Sequence, residues 1–360
     1  MLRRGIAAGC VALAALCAGP AVANAAGPNP FYGVVATHYP SEFELGRAAT
    51  AGAGVFRAQV DWKFVEPTPG TRDYYGTDVL FGFAARQGIT ILPDLLGVPR
   101  WMSRNPVRPP IFTAAQRNAW RALLTDYARR YGTNGTFWAE HPELPKRPVT
   151  TWEIWNEPNQ GDSFGGKPSA RRFVRLLKIS AEGLRAGDPN AKVLAGGLFP
   201  YRTGKNTIKL TKYLNAMYRV PGAANAFDAV GIHPYAAQPK GVLHWVKVAR
   251  RIMRRHGDGG TPIWASAFGW VTGGAGFRYT VLRTTPRQQA RKLTKTYRLL
   301  SRNAGRLGIA SALWFTYTDS HRLRRTTRRD YITDRMGLFT LKGRPKPSWF
   351  AFARAAGGTP

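Results

Sequence analysis

The chain has 360 residues, two cysteines and a formal net charge of +33, from 53 Lys and Arg against 20 Asp and Glu. Both cysteines, Cys10 and Cys17, fall before residue 26, so the remainder excludes disulfides, thiolate nucleophiles and cysteine-bound metal. Without crosslinks, stability has to come from a large hydrophobic core, for which the chain is long enough.

The N-terminus reads as a secretory signal. Arg3 and Arg4 precede an apolar run from Gly5 to Gly19, followed by the small-residue pattern Ala23-Asn24-Ala25. The run is too short to span a bilayer. The expectation is a signal peptide over 1–25, export to the extracellular space, and one domain over 26–360.

The predicted elements then alternate along the chain. Candidate strands Gly33–Thr37, Val55–Val60 and Ile89–Leu95 come first. A helix over Ala114–Tyr131 follows, with Thr113 as its cap and Gly132 as its stop. Strand Thr150–Trp155 leads to helix Ser169–Ala186, ended by Gly187-Asp188-Pro189. Strands Lys192–Gly196 and Ala229–His233 precede helix Gln238–His256. Strand Pro262–Ala267 precedes a helix capped by Thr285, with Pro286 at its first position, running to about Asn303. Ser311–Tyr317 is the eighth strand. Most of these strands are continuous apolar runs, as expected when both faces are covered. Eight strand–helix units without a linker predict an α/β fold, a single-domain (β/α)8 TIM barrel.

In such a barrel, function sits at the C-terminal strand ends. Those ends carry Arg57 and Asp61, then Asp94 and Trp101, then Trp155, Asn156 and Glu157, then His233 and Tyr235, then Ala267 and Trp270, then Trp314 and Asp319. Aromatic faces suit the apolar faces of sugar rings, and the polar groups suit hydroxyls. No HxH or HExxH spacing supports a metal, and no Gly-rich turn follows the first strand, so no cofactor is expected. In Trp152-Glu153-Ile154-Trp155-Asn156-Glu157-Pro158-Asn159, alternation places Glu153, Trp155 and Glu157 on one face. Glu157 at the rim suits a general acid. Glu153, deeper, suits a structural pairing with Arg57 or a barrel hydroxyl.

This strand resembles the Asn-Glu-Pro motif of clan A retaining glycoside hydrolases, the group containing families 5 and 39. Arg57, His233-Pro234-Tyr235, Trp314 and the Gly337-Leu338-Phe339 to Trp349 ending also resemble the clan's pattern. The resemblance implies hydrolysis of O-glycosyl bonds in a β-linked glycan. It implies Glu157 as acid/base and Asn156 on the sugar 2-hydroxyl. Arg57 and Tyr235 would position the nucleophile, and His233, Trp101, Trp270 and Trp314 would line the subsites. The segment Pro262-Ile263-Trp264-Ala265-Ser266-Ala267-Phe268-Gly269-Trp270 resembles the nucleophile strand, but the nucleophile position holds Ala267. No Asp or Glu occurs between Gly259 and Thr318.

Retaining chemistry needs two carboxyl groups about 5–5.5 Å apart and inverting chemistry two about 6.5–9.5 Å apart. Glu157 alone completes neither, so impaired or absent turnover is expected. Asp319, Asp61, Asp94 or a substrate acetamido group could stand in. The alternative is a non-catalytic glycan-binding or cell-surface module.

Arg250, Arg251, Arg254 and Arg255 form one basic cluster, and 322–329 hold another. These suit an anionic polymer or cell surface, or simply solvated helix faces. No nucleic-acid motif accompanies them. The default assembly is a monomer.

Overall fold

The computed structural model describes residues 28–202, 204–273, 280–320 and 334–360. The expected signal peptide and the second arginine cluster lie outside the described residues.

Eight parallel strands close into a barrel in chain order: Asn29–Val35, Ala53–Asp61, Thr90–Leu96, Thr151–Ile154, Lys192–Leu198, Ala229–Ile232, Ile263–Phe268 and Ile309–Phe315. They are called strands one to eight below. Closure is made by strand eight on strand one, where Val34 pairs with Trp314 and Val35 with Phe315. Val271–Thr272 and Arg283–Thr284 form a separate two-stranded ribbon above strand seven.

The helix starts follow local chemistry. Thr113 caps Ala114–Tyr131 through a full capping box with Gln116. Ser169 caps Ala170–Gly187, and Thr285 caps Pro286–Arg302, with proline where no amide donor is needed. Helix Pro239–Arg255 also begins on proline. The helices bury Trp120, Leu184, Val246 and Tyr297 against the strands. Trp62, Trp120 and Trp155 pack ring against ring between barrel and helices.

Each predicted strand exists, with shifted ends. Strand four stops at Ile154 because Trp155 turns into the left-handed region, at φ 70°. Strand eight begins earlier than expected, at Ile309, and ends at Phe315. Among the described residues, no helix is long and apolar enough to cross a membrane.

Candidate functional site

The site is built where strand four ends. Trp155 (φ 70°) and Glu157 (φ 46°) both occupy a backbone region that L-residues enter at a cost of about 1–3 kcal/mol each. The turn is held by the Trp155 amide, which donates to the Leu95 carbonyl at 3.1 Å, and by the Gln160 amide, which donates to the Glu157 carbonyl at 2.8 Å. The expected alternation therefore fails beyond Ile154. Trp155 is fully buried behind the strand, its ring against Trp120 and Phe164 and its indole N–H on the Ser163 carbonyl. Glu157 emerges at the mouth, with 22% of its side chain accessible.

Beneath it lies Arg57 on strand two, 5% exposed. Its Nε donates to Glu153 at 2.5 Å, and its Nη2 donates to Asp94 at 2.8 Å and to the Asn156 amide oxygen at 3.0 Å. Glu153 also accepts from the Gly197 amide at 3.0 Å and from the Ser266 hydroxyl at 3.4 Å. Glu153 is thus a structural carboxylate. One cation faces two buried carboxylates, and Glu157 and Asp61 add negative potential. Burial, followed by the carboxylates Glu153, Asp61 and Glu157, outweighs Arg57 and pushes the Asp94 carboxyl up to about 8.

On the opposite wall, His233 Nδ1 lies 2.7 Å from Glu157 Oε1 and fixes that carboxylate's position. The imidazole needs Gly197: a Cβ there would stand 2.0 Å from His233 Nε2. Tyr235 is buried, and desolvation, reinforced by the Glu157 charge, raises its phenol well above the usual range. Phe315 is half-buried, edge-on to Tyr235 with ring centroids 6.5 Å apart.

Ala267 is buried, with 1% exposure. Strand seven carries two residues, Ser266 and Ala267, against the single Leu313 of strand eight, since Ala265 pairs with Ala312 and Phe268 with Trp314. Such a bulge releases strict alternation and re-aims side chains, as bulges beside active sites do. Ser266 points at Glu153, and position 267 offers only a methyl.

The other carboxylates are engaged elsewhere. Asp319 is paired with Lys346 at 3.0 Å and accepts from the Gly337 amide at 2.7 Å. Asp61 accepts from Gln59 at 3.0 Å and lies 3.5 Å from Lys63. Asp94 is held under Arg57.

Three aromatic expectations need correction or narrowing. Trp314 and Trp270 are fully buried and present no face to a sugar. The Trp314 indole N–H is given to the Met336 carbonyl, and its ring packs on Phe268 and Trp270. Trp270 bonds the Ala237 carbonyl and lies under Lys292. With Trp314 facing the helices, alternation turns Phe315 toward the barrel mouth; the sequence reading chose the larger ring over the parity of the strand. Trp101 keeps a half-exposed ring, its N–H on the Glu66 carbonyl and its edge on Trp62. Gly197 and Phe315 were both missed, although strand parity signalled Phe315. Among the described residues, no cluster of His, Cys, Asp and Glu could hold a metal.

No family model and no curated protein matches the chain. Solved structures do match in fold. A family 39 glycoside hydrolase from the gut symbiont Bacteroides cellulosilyticus WH2 superposes with TM-score 0.63 at 20% identity, over 92% of this chain and 64% of that one. A monomeric beta-xylosidase from Caulobacter crescentus CB15 gives 0.63 at 18% identity, over 91% and 69%. A GH5_18 protein from Streptomyces cattleya, in complex with GlcNAc, gives 0.65 at 14% identity, over 92% and 80%. The chain thus shares its barrel fold with these proteins, and it spans just under two thirds of the family 39 structure's length.

Two outcomes follow from this geometry. Asp94 is raised in the folded state, so between the ordinary carboxylate range and about 8 the native protein binds more protons than the unfolded chain. Stability therefore falls as pH rises through that window, by at most about 1.4 kcal/mol per pH unit for one proton. Urea midpoints at pH 5, 6, 7 and 8 will decline, and Asp94→Asn will flatten the decline. Separately, Trp314→Ala will cost about 3–5 kcal/mol in urea unfolding, as expected for a packed core ring. Phe315→Ala will cost clearly less, because that ring is only half-buried.

Proposed function

We propose that this is an exported carbohydrate-binding protein on a glycoside-hydrolase barrel, holding a β-linked glycan at the mouth formed by Glu157, Asn156, His233, Tyr235 and Phe315. Two-carboxylate hydrolysis is impaired or absent. The observation that carries this reading is the pairing of an intact, preorganised Glu157 with a methyl group at position 267. An acid at the leaving group lowers one half of the barrier. The other half needs a carboxylate to attack the anomeric carbon or to activate water, and Ala267 does neither. Asp61, Asp94 and Asp319 are each bonded to another side chain, Gln59, Arg57 and Lys346 respectively. The fold shared with family 39 and family 5 hydrolases supports a glycan as ligand, and the leader-like N-terminus, with no cysteine after Cys17, supports export.

The test is an assay of the chain as written, Ala267→Glu and Glu157→Gln on aryl β-glycosides and soluble β-linked polysaccharides. The expected result is no turnover by the written chain, glycan retention by affinity electrophoresis, and turnover gained by Ala267→Glu on the glycan that is retained. Vigorous, Glu157-dependent hydrolysis by the written chain would overturn the impaired-site reading. Absence of retention on every glycan, with no activity in Ala267→Glu, would overturn the carbohydrate reading itself.

A further inference from the structure

The opposite end of the barrel carries a second concavity. Lys247, Arg250, Arg251, Arg254, Arg255, Arg306 and Leu307 enclose a cleft of about 440 Å³ between helix Pro239–Arg255 and the short helix Ala304–Leu307. Its floor is Arg250, 2% exposed. The guanidinium donates to the carbonyls of Leu307 at 2.8 Å, Gly259 at 2.6 Å and Thr261 at 2.7 Å. Gly308 makes room for it: its φ is 59°, and a Cβ there would stand 2.6 Å from Arg250 Nη2. These carbonyls lead into the N-terminal ends of strands seven and eight, so the cleft faces away from Glu157.

The cleft is lined by basic side chains, whose aliphatic stems and Leu307 form its apolar surface. Lys247, Arg251, Arg254, Arg255 and Arg306 are exposed, and among the described residues none of them pairs with a carboxylate. Among the described residues, Arg254 donates to the Arg306 carbonyl and Arg306 to the Asn303 amide oxygen. The carboxylate that acts on Arg250 is Asp258, itself held by Tyr218 and Thr261. A buried guanidinium whose hydrogen bonds go to carbonyls, under a row of cations that have no carboxylate partner among the described residues, attracts a dense anion.

The positions at 247, 251, 254 and 255 follow helical spacing along one face, and the row extends about 12 Å at 1.5 Å per residue. That length matches several charges in series rather than one ion. Among the described residues no aromatic ring lines the cleft, so these residues offer no stacking platform of the kind that single-stranded nucleic acid uses. We propose that this cleft is a binding site for an anionic polysaccharide, one bearing sulfate, phosphate or carboxylate groups at regular intervals. It is independent of the mouth at Glu157. Together the two would let the protein sit on a charged matrix with its carbohydrate cleft facing outward.

The test uses heparin as the probe, with Arg251→Gln/Arg254→Gln/Arg255→Gln against Arg129→Gln/Arg171→Gln/Arg175→Gln. The second variant removes the same charge from exposed positions on other helices. Both alter exposed side chains, and thermal unfolding checks that both fold. The expected result is about tenfold or greater loss of heparin affinity in the first variant, with a salt-dependence slope lower by about three, and little change in the second. Equal losses in both variants would show attraction by net charge alone and overturn the site. Full competition by inorganic sulfate at the same total sulfate concentration would reduce it to an ion site and overturn the polymer. A single-stranded DNA oligonucleotide binding as tightly as heparin, with the same loss in the first variant, would overturn the glycan assignment.

Discussion

The site depends on one buried cation. Arg57 joins strands two, three and four through Asp94, Glu153 and Asn156, and Glu153 carries the link on to strands five and seven through Gly197 and Ser266. Burying a guanidinium is costly, and its partners must be well placed to repay the desolvation. Here the arrangement is over-supplied with acid. The surplus appears as the raised Asp94 carboxyl, whose Oδ2 accepts from Arg57 while its Oδ1 is buried without a hydrogen-bond partner. The bond from Arg57 to the Asn156 amide oxygen then fixes the residue before Glu157, and His233 fixes Glu157 from the other side. The left-handed turn is tolerated because both flanks are tied.

This explains how the barrel survives without a carboxylate on strand seven. If Arg57 had relied on a residue at position 267, a methyl there would leave a buried charge without its acceptor, a loss of several kcal/mol. Arg57 instead has three other acceptors. The position can therefore be apolar, and Ala267 packs with 1% exposure. The architecture and the chemistry separate here: the scaffold that aims Glu157 needs strands two to six, while nucleophilic attack would need strand seven.

The fold was legible because its signals are redundant. Eight apolar runs, capped helices and proline starts each point to the same alternation, and the structure closes them in that order. Helix Ala114–Tyr131 begins and ends as read, since Thr113 and Gln116 write a capping box directly into the sequence. The site was legible only in part. Period-two reasoning reached Glu153 correctly and then failed at Trp155, because a positive φ in a tryptophan has no local sequence signal. The bulge at Ser266 and Ala267 and the outward turn of Trp314 have the same origin. Both depend on register against a neighbouring strand, which belongs to the closed barrel and not to one segment. Residue type led toward Trp270 and Trp314, while burial assigns them to packing and leaves the smaller Phe315 beside Tyr235.

The charge can be argued by location rather than by sum. Arg72, Arg86, Arg121, Arg130 and Arg185 bind carboxylates. With 53 basic residues and 20 acidic ones, many cations must remain unpaired, and a compositional bias alone would scatter them over the outer helices. The Arg250 cleft differs from such scatter in two respects. Its cations line one shared concavity, and their proximity costs mutual repulsion. Its central residue is buried and built in, with carbonyls from two strand entries and a left-handed glycine shaped around it. Repulsion that a fold maintains with dedicated contacts is relieved by an anion, and that relief is available at this end of the barrel whatever the mouth at Glu157 does.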